Sequence, residues 1–382
     1  MRAPRALLLS ALLLALSGGA WPWRPHVEEP EPVDTVEPAT AAPPPPTFAG
    51  DVFAGGLPLD PGPLPAGLAN LSAQGCASCH PVAHASWATS AHSAAPPPTQ
   101  LVPGASPACD ACHLPLAVQW DQLVTFDGGL VEHPVGAPNP AFDATLSLEG
   151  VTCAACHVRD GEVLTPTAVT AAPHPTRLAP DLLSANSCAP CHQLTWPGAD
   201  MPLYDTVGEW QRSAQAAAGI TCQDCHMRPG VRAEAASHQV ALPAARAVSL
   251  LVRFAAVELH RGGDPLDVQI TLQNTGAGHA FPTGSPYRAV SLRAELLGAD
   301  DLVIGEPHEL RLGRTLSDGP PWRTESDTRL QAGATLEDRW QALLPSDGPA
   351  GPWWLRVQLL DQRGPTTEPQ VLVSQRFPLR VD

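Results

Sequence analysis

The chain has 382 residues, a formal net charge of −16, ten cysteines, and basic residues that are all arginine. Its length accommodates two domains. Its acidity disfavours nucleic acid and anionic lipid as partners and favours a basic protein partner, although the same charge also serves simple solubility.

In chain order, residues 1–20 read as a secretory signal: Arg2 and Arg5, the apolar run ALLLSALLLAL, then SGGA before Trp21. The run is too short to span a bilayer, cleavage is expected after Ala20, and no cysteine stands near it to carry a lipid. The expected location is therefore periplasmic or extracellular, with no membrane span. Residues 21–70 are Pro-rich, including Pro43 to Pro46, and read as an extended linker.

From 71 to 245 the sequence is rich in Ala and Pro, with 14 acids against 5 Arg, and it carries CxxCH five times. The copies are Cys76/Cys79/His80, Cys109/Cys112/His113, Cys153/Cys156/His157, Cys188/Cys191/His192 and Cys222/Cys225/His226. CxxCH is the attachment signature of c-type haem. Two thiols add to the two vinyl groups of one porphyrin, and the next residue, a histidine, binds the iron from below. A structural zinc site joins two half-motifs and needs no histidine after the second cysteine. A thioredoxin-like pair occurs once, and a disulfide framework would not repeat the trailing histidine. Five copies that consume all ten cysteines therefore predict five covalent haems. Such a segment can bury little apolar surface of its own, so the porphyrins are expected to be its core, wrapped by helices and irregular chain. Helices are expected over 84–93 and 206–218.

After residue 246 β-rich runs appear at 250–259, 267–273, 289–296, 335–343, 354–360 and 371–381, separated by Gly-, Pro- and Asp-rich turns. They predict an all-β domain over 246–382, an immunoglobulin-like sandwich. The fold expected is thus a pentahaem, mostly α and irregular cytochrome c domain followed by that sandwich.

The second axial ligand of each iron decides between carrying electrons and transforming a small molecule. Nine histidines lie outside the motifs: His26, His84, His92, His133, His174, His238, His260, His279 and His308. Several sit in segments that resemble the multihaem cytochrome c family typified by the tetrahaem cytochrome that accepts electrons from hydroxylamine oxidoreductase. The first motif continues as CHPVAHASWATSAH, with Trp87, Ser90 and His92 in the family's pattern. GVTCAACHVRDG, the HP pair at His174, SCAPCH, YDTVGEWQRS before ITCQDCHM, His238 and NTGAGHAFPTG extend the likeness over roughly residues 71–345. The resemblance implies an electron-transfer module with His92, His174, His238 and His279 as distal ligands. His133, in the loop GLVEHPVG, is the choice for the fifth, with His84 as its rival. His260 and His308 are read as structural, Met227 as packing, and Trp87 and Trp210 as packing on porphyrin edges. The leading expectation is an exported electron carrier with mainly bis-His haems and redox proteins as partners. The alternative is an oxidoreductase with one open haem acting on nitrite or hydroxylamine. Multihaem nitrite reductases typically place a lysine on the catalytic iron, and this chain has none.

Overall fold

Motif cysteines three residues apart, with the histidine at the next position, share one face of a helical turn, and this geometry shapes the first half of the chain. The computed structural model describes residues 58–101, 107–123, 137–195, 199–228, 236–240, 247–254, 263–318, 322–344, 346, 352–364 and 367–379. The signal segment, most of the Pro-rich stretch, His26, His133 and His260 lie outside these residues. The described helices are short: α1 (Ala73–Ala77), α2 (Pro81–Ala88), α3 (Pro98–Leu101), α4 (Cys153–His157), α5 (Ala189–His192), α6 (Thr206–Gln211), α7 (Ala214–Ala217) and α8 (Cys222–His226). Four of them contain or coincide with a motif, and the second motif closes a 3₁₀ turn over Pro107–Cys112.

Both predicted helices differ from expectation for local reasons. α2 starts at Pro81, which fits the first helical position because its missing N–H would be unpaired there anyway. It ends at Ala88, where Ser93 folds back with its hydroxyl on the carbonyls of Ala88 (3.1 Å) and Ser90 (3.0 Å). Serine thus competes with the helix and leaves His92 outside it. The segment 206–218 is two helices, because Ser213 breaks the run and caps α7 by accepting from the Ala216 N–H. Its end at Gly219, with φ of 74°, is as expected.

Small β elements link the motifs: β1 (Gln122–Leu123) with β2 (Ala137–Pro138), then β3 (Val158–Arg159), β4 (Glu162–Thr165) and β5 (Thr176–Leu178), and β6 (Gln193–Leu194) with β7 (Tyr204–Asp205). Buried apolar side chains are few here: Leu116, Leu146, Ala154, Ala155 and Val158 in one cluster, Ala185, Ala189 and Val207 in another. The end of the Pro-rich stretch is seated on this region. Leu59 exchanges backbone bonds with Pro115 and Ala117, 2.7 Å each, and the Pro61 carbonyl accepts from Asp160 N–H at 2.8 Å.

The C-terminal part is β8 (Val248–Phe254), β9 (Pro265–Asn274), β10 (Ala289–Leu297), β11 (Val303–Leu316), β12 (Thr324–Asp327), β13 (Thr335–Leu343), β14 (Trp353–Gln362) and β15 (Gln370–Leu379). They form a three-stranded sheet, β13-β9-β8, and a five-stranded sheet, β12-β11-β10-β14-β15, with antiparallel neighbours throughout. Alternation places Leu266, Val268, Ile270 and Leu272 of β9 in one core with Val290, Leu292 and Leu296 of β10 and Leu355, Val357 and Leu359 of β14. Each such side chain contributes roughly 1.5–3 kcal/mol on burial. β11 and β12 are absent from the sequence reading. VIGEPHELRLGRTL carries Gly305, Pro307 and Gly313 among charges, and it pairs as a strand only because β10 lies beside it.

The sheets are tied to the helical region by polar contacts. Arg314 Nη1 donates to the carbonyls of Pro202 and Leu203, both at 3.0 Å. Thr206 and Thr283 share a hydroxyl hydrogen bond of 2.9 Å, and Arg329 pairs with Glu209 at 2.6 Å.

Candidate functional site

The run-up to a motif helix is held by a tryptophan in two places. Trp87 Nε1–H donates to the Val151 carbonyl at 2.8 Å, and Trp210 Nε1–H to the Ile220 carbonyl at 2.9 Å. Val151 and Ile220 each stand two residues before the first cysteine of a motif. Both indoles therefore act as staples on the attachment helices through their polar edge. Glu149 joins the first and third motifs: its carboxylate accepts from Ser72 Oγ, from the Ala73 N–H at 2.8 Å and from Thr152 Oγ1 at 2.8 Å. A carboxylate at the start of α1 also complements the positive end of that helix.

Three of the proposed distal histidines face a motif histidine. Ring centres are 6.4 Å apart for His92 and His192, 6.2 Å for His157 and His238, and 6.2 Å for His226 and His279. Two imidazoles bound to one metal from opposite sides, at about 2 Å per metal–nitrogen bond and ~1.1 Å from nitrogen to ring centre, would stand about 6.3 Å apart. The spacing fits an iron between each pair. In every pair one ring belongs to a motif and the other does not, a pattern that incidental aromatic packing has no reason to produce.

Backbone carbonyls aim these rings. Nδ1–H of His157 donates to the Leu164 carbonyl at 2.9 Å, that of His238 to Ala236 at 3.1 Å, and that of His279 to Ala280 at 3.0 Å. Fixing the proton on Nδ1 leaves the Nε2 lone pair for a metal. Burial, the leading cause, holds His92, His113, His157, His192, His226, His238 and His279 below the ordinary imidazole range, His192 down to about 4. Neutral imidazole is the form that ligates.

Close approaches bring the distal rings in. Gly150 has φ of 59°, and a Cβ there would stand 2.4 Å from the His92 carbonyl oxygen. The Val151 N–H donates to that same oxygen at 2.9 Å. His238 is held by its own N–H on Ser86 Oγ of α2, at 3.0 Å. The His279 loop is pinned by Asn274, fully buried, whose Nδ2 donates to the carbonyls of His279 (2.8 Å) and Leu330 (3.1 Å). A Cβ on Gly278 would meet Trp210, Ser213 and Gln215 at 3.1–3.2 Å, so the loop lies hard against α6 and α7.

All ten motif cysteines are free thiols. The sulfurs of Cys76 and Cys153, of Cys112 and Cys191, and of Cys188 and Cys222 are within hydrogen-bonding reach of each other. That bond lowers the Cys76 and Cys188 thiols to about 7 and raises those of Cys153 and Cys222. Cys156 interacts with Cys188 and Cys191. The first, third and fourth motifs thus form a connected line, from which the second and fifth branch at the fourth. Cys79, Cys109 and Cys225 complete the set of paired thiols. The donor set fits haem c: two thiols and a histidine on each turn, with a second imidazole across three of them.

The remaining candidates are placed differently. His174 is half-buried in the turn before β5, with the preceding Pro173 carbonyl against Gly67. Among the described residues, neither His80 nor His113 has a second imidazole in ring contact, and His113 Nδ1 is buried without a hydrogen-bond partner. His133 lies outside the described residues. His84 packs at 5.6 Å on Trp87, and His308 is stacked on Trp340 with Nε2 2.6 Å from Asp338 Oδ2. Sequence reasoning passed over Glu149, Asn274 and Glu209. A single acid or amide carries no spacing signal, and only the fold shows what it holds.

No protein-family model matches this chain, and no curated protein does. Among solved structures, the chain is similar to a penta-haem cytochrome c552 from Thermochromatium tepidum. The two are 20% identical, with 81% of this chain and 98% of that chain covered at a TM-score of 0.56. At this identity the likeness is one of fold. A CARDB domain of PF1109 from Pyrococcus furiosus covers 35% of this chain at a TM-score of 0.22 and 9% identity, too distant to inform function.

Proposed function

We propose that this chain is an exported multihaem c-type cytochrome that carries electrons through five covalently held, mainly bis-His haems. The observation that carries the reading is the three histidine pairs at 6.2–6.4 Å, each joining a motif to a distal segment. The penta-haem neighbour supports it through shared fold. Haem c would be held by the cysteines and histidines of the five motifs. When bound, it supplies an iron that cycles between ferric and ferrous states. The chain's own contribution is to aim imidazoles with backbone carbonyls, keep them neutral by burial, and hold five attachment turns in one connected cluster.

Residues 1–20 would direct export and 21–70 would serve as a linker. Residues 71–245 would form the haem domain, and 246–382 a β-sandwich. The order β13-β9-β8 against β12-β11-β10-β14-β15 supports an immunoglobulin-like layout for the last. His174 is proposed to serve the first motif's haem, and His133 the second's. The acidic surface suits a basic redox partner, and no helix among the described residues is long and apolar enough to cross a membrane. The test is intact-protein mass under denaturing, reducing conditions. Five retained haems are expected, and four or fewer in fully matured protein would refute the assignment for the missing motif.

A further inference from the structure

A carboxylate buried away from water needs partners that repay its desolvation. Glu209 on α6 has its side chain 3% exposed, and its main partner, Arg329 beyond β12, 8%. One carboxylate oxygen accepts from Arg329 Nη1 at 2.6 Å. The other accepts from the Ala280 N–H at 3.1 Å and from Thr283 Oγ1 at 2.8 Å. Arg329 is in turn fixed by Asp327 at 2.7 Å. Ala280 directly follows His279, and its carbonyl receives the His279 ring proton at 3.0 Å. The 279–280 segment is therefore gripped at two points: Glu209 takes the Ala280 amide hydrogen, and the imidazole takes the Ala280 carbonyl.

We propose that Glu209 is a positioning residue for His279: it binds the Ala280–Thr283 loop from the helical region, charge-paired with Arg329, and so delivers the imidazole opposite His226. This rests on the reading that His226 and His279 share an iron. A simple adhesive between sheets and helices would have no need to bond the amide next to a ligand. Arg314 supplies that adhesive elsewhere, donating to the Pro202 and Leu203 carbonyls without touching residues 279–283.

The experiment uses the haem-loaded full chain, with haem content by mass, low-temperature paramagnetic resonance of the oxidised protein, imidazole titration and thermal midpoint. His279→Ala identifies the low-spin signal of the fifth haem by removing it. Glu209→Ala is expected to keep all haems, weaken or shift that same signal, and raise the affinity for added imidazole at least tenfold. Glu209→Gln, whose amide oxygen still accepts from Ala280, should restore more than half of the signal. Arg314→Ala should lower the midpoint and leave the signal unchanged. If Glu209→Ala does not fold, Thr283→Val must shift the same signal. A Glu209→Ala or, in its place, Thr283→Val protein that is less stable but spectroscopically wild type overturns the proposal, while the His279 reading stands. A wild-type spectrum from His279→Ala instead overturns the shared iron, and the proposal with it.

Discussion

His92 and His192 face one another with ring centres 6.4 Å apart, though a hundred residues separate them in the chain. His92 belongs to the tail of the first motif and His192 to the fourth. One link that makes the meeting possible is Gly150, at the entry to the third. Three motifs are thus locked together around a single pair of imidazoles.

Replacing Gly150 with alanine tests that link. Its φ of 59° suits glycine, and a Cβ would stand 2.4 Å from the His92 carbonyl oxygen. The conformation alone costs about 1–2 kcal/mol for alanine, and the overlap forces the His92 backbone away. Gly150→Ala should lower the thermal midpoint and perturb one low-spin haem while all five remain attached. An unperturbed spectrum would show that His92 does not depend on this approach.

The two indole staples predict a different phenotype. Trp87→Phe and Trp210→Phe keep the aromatic bulk and remove one hydrogen bond each, leaving the carbonyls of Val151 and Ile220 short of a donor. Each should cost roughly 1–3 kcal/mol, seen in denaturant unfolding. Haem content and spin state should be unchanged.

Asn274 separates stability from ligation. Leu292→Ala in the core of the two sheets should cost about 2–5 kcal/mol without altering the spectra. Asn274→Ala removes the donor that holds the His279 carbonyl and leaves buried backbone groups unpaired. It should destabilise the chain and also weaken the low-spin signal that His279→Ala removes. Spectra identical to wild type from Asn274→Ala would place His279 under other control.

Much of this was legible in the sequence, and what was not has physical reasons. The motifs could be read because thioether chemistry fixes their spacing. The strand over 335–343 and the cores of β9, β10 and β14 could be read because alternation marks a half-buried strand. β11 could not, since glycine, proline and charge mask it until β10 supplies its partner. The candidate distal histidines followed from family likeness. Which motif each one faces depends on tertiary approaches such as Gly150 to His92 and Gly278 to α6. Glu209 on a short helix reads as an ordinary solvated acid until Arg329 is seen to bury it.

The imbalance in apolar burial predicts how the chain behaves without haem. The two sheets share a large core, whereas the motif-bearing region has two small clusters. With all ten motif cysteines changed to serine, hydrogen exchange should show protected amides in β9, β10 and β14. Rapid exchange is expected across residues 71–228. Protection throughout both regions would mean that side-chain packing suffices without porphyrin.

The central claim is that paired imidazoles from motif and distal segments hold the irons. The measurement that tests it most directly is quantitative low-temperature paramagnetic resonance of the oxidised, fully loaded chain, with haem counted by mass. The pairs His92/His192, His157/His238 and His226/His279 predict that at least three of the five haems are low-spin with nitrogen on both sides. High-spin iron in three or more haems of the native protein would contradict the account.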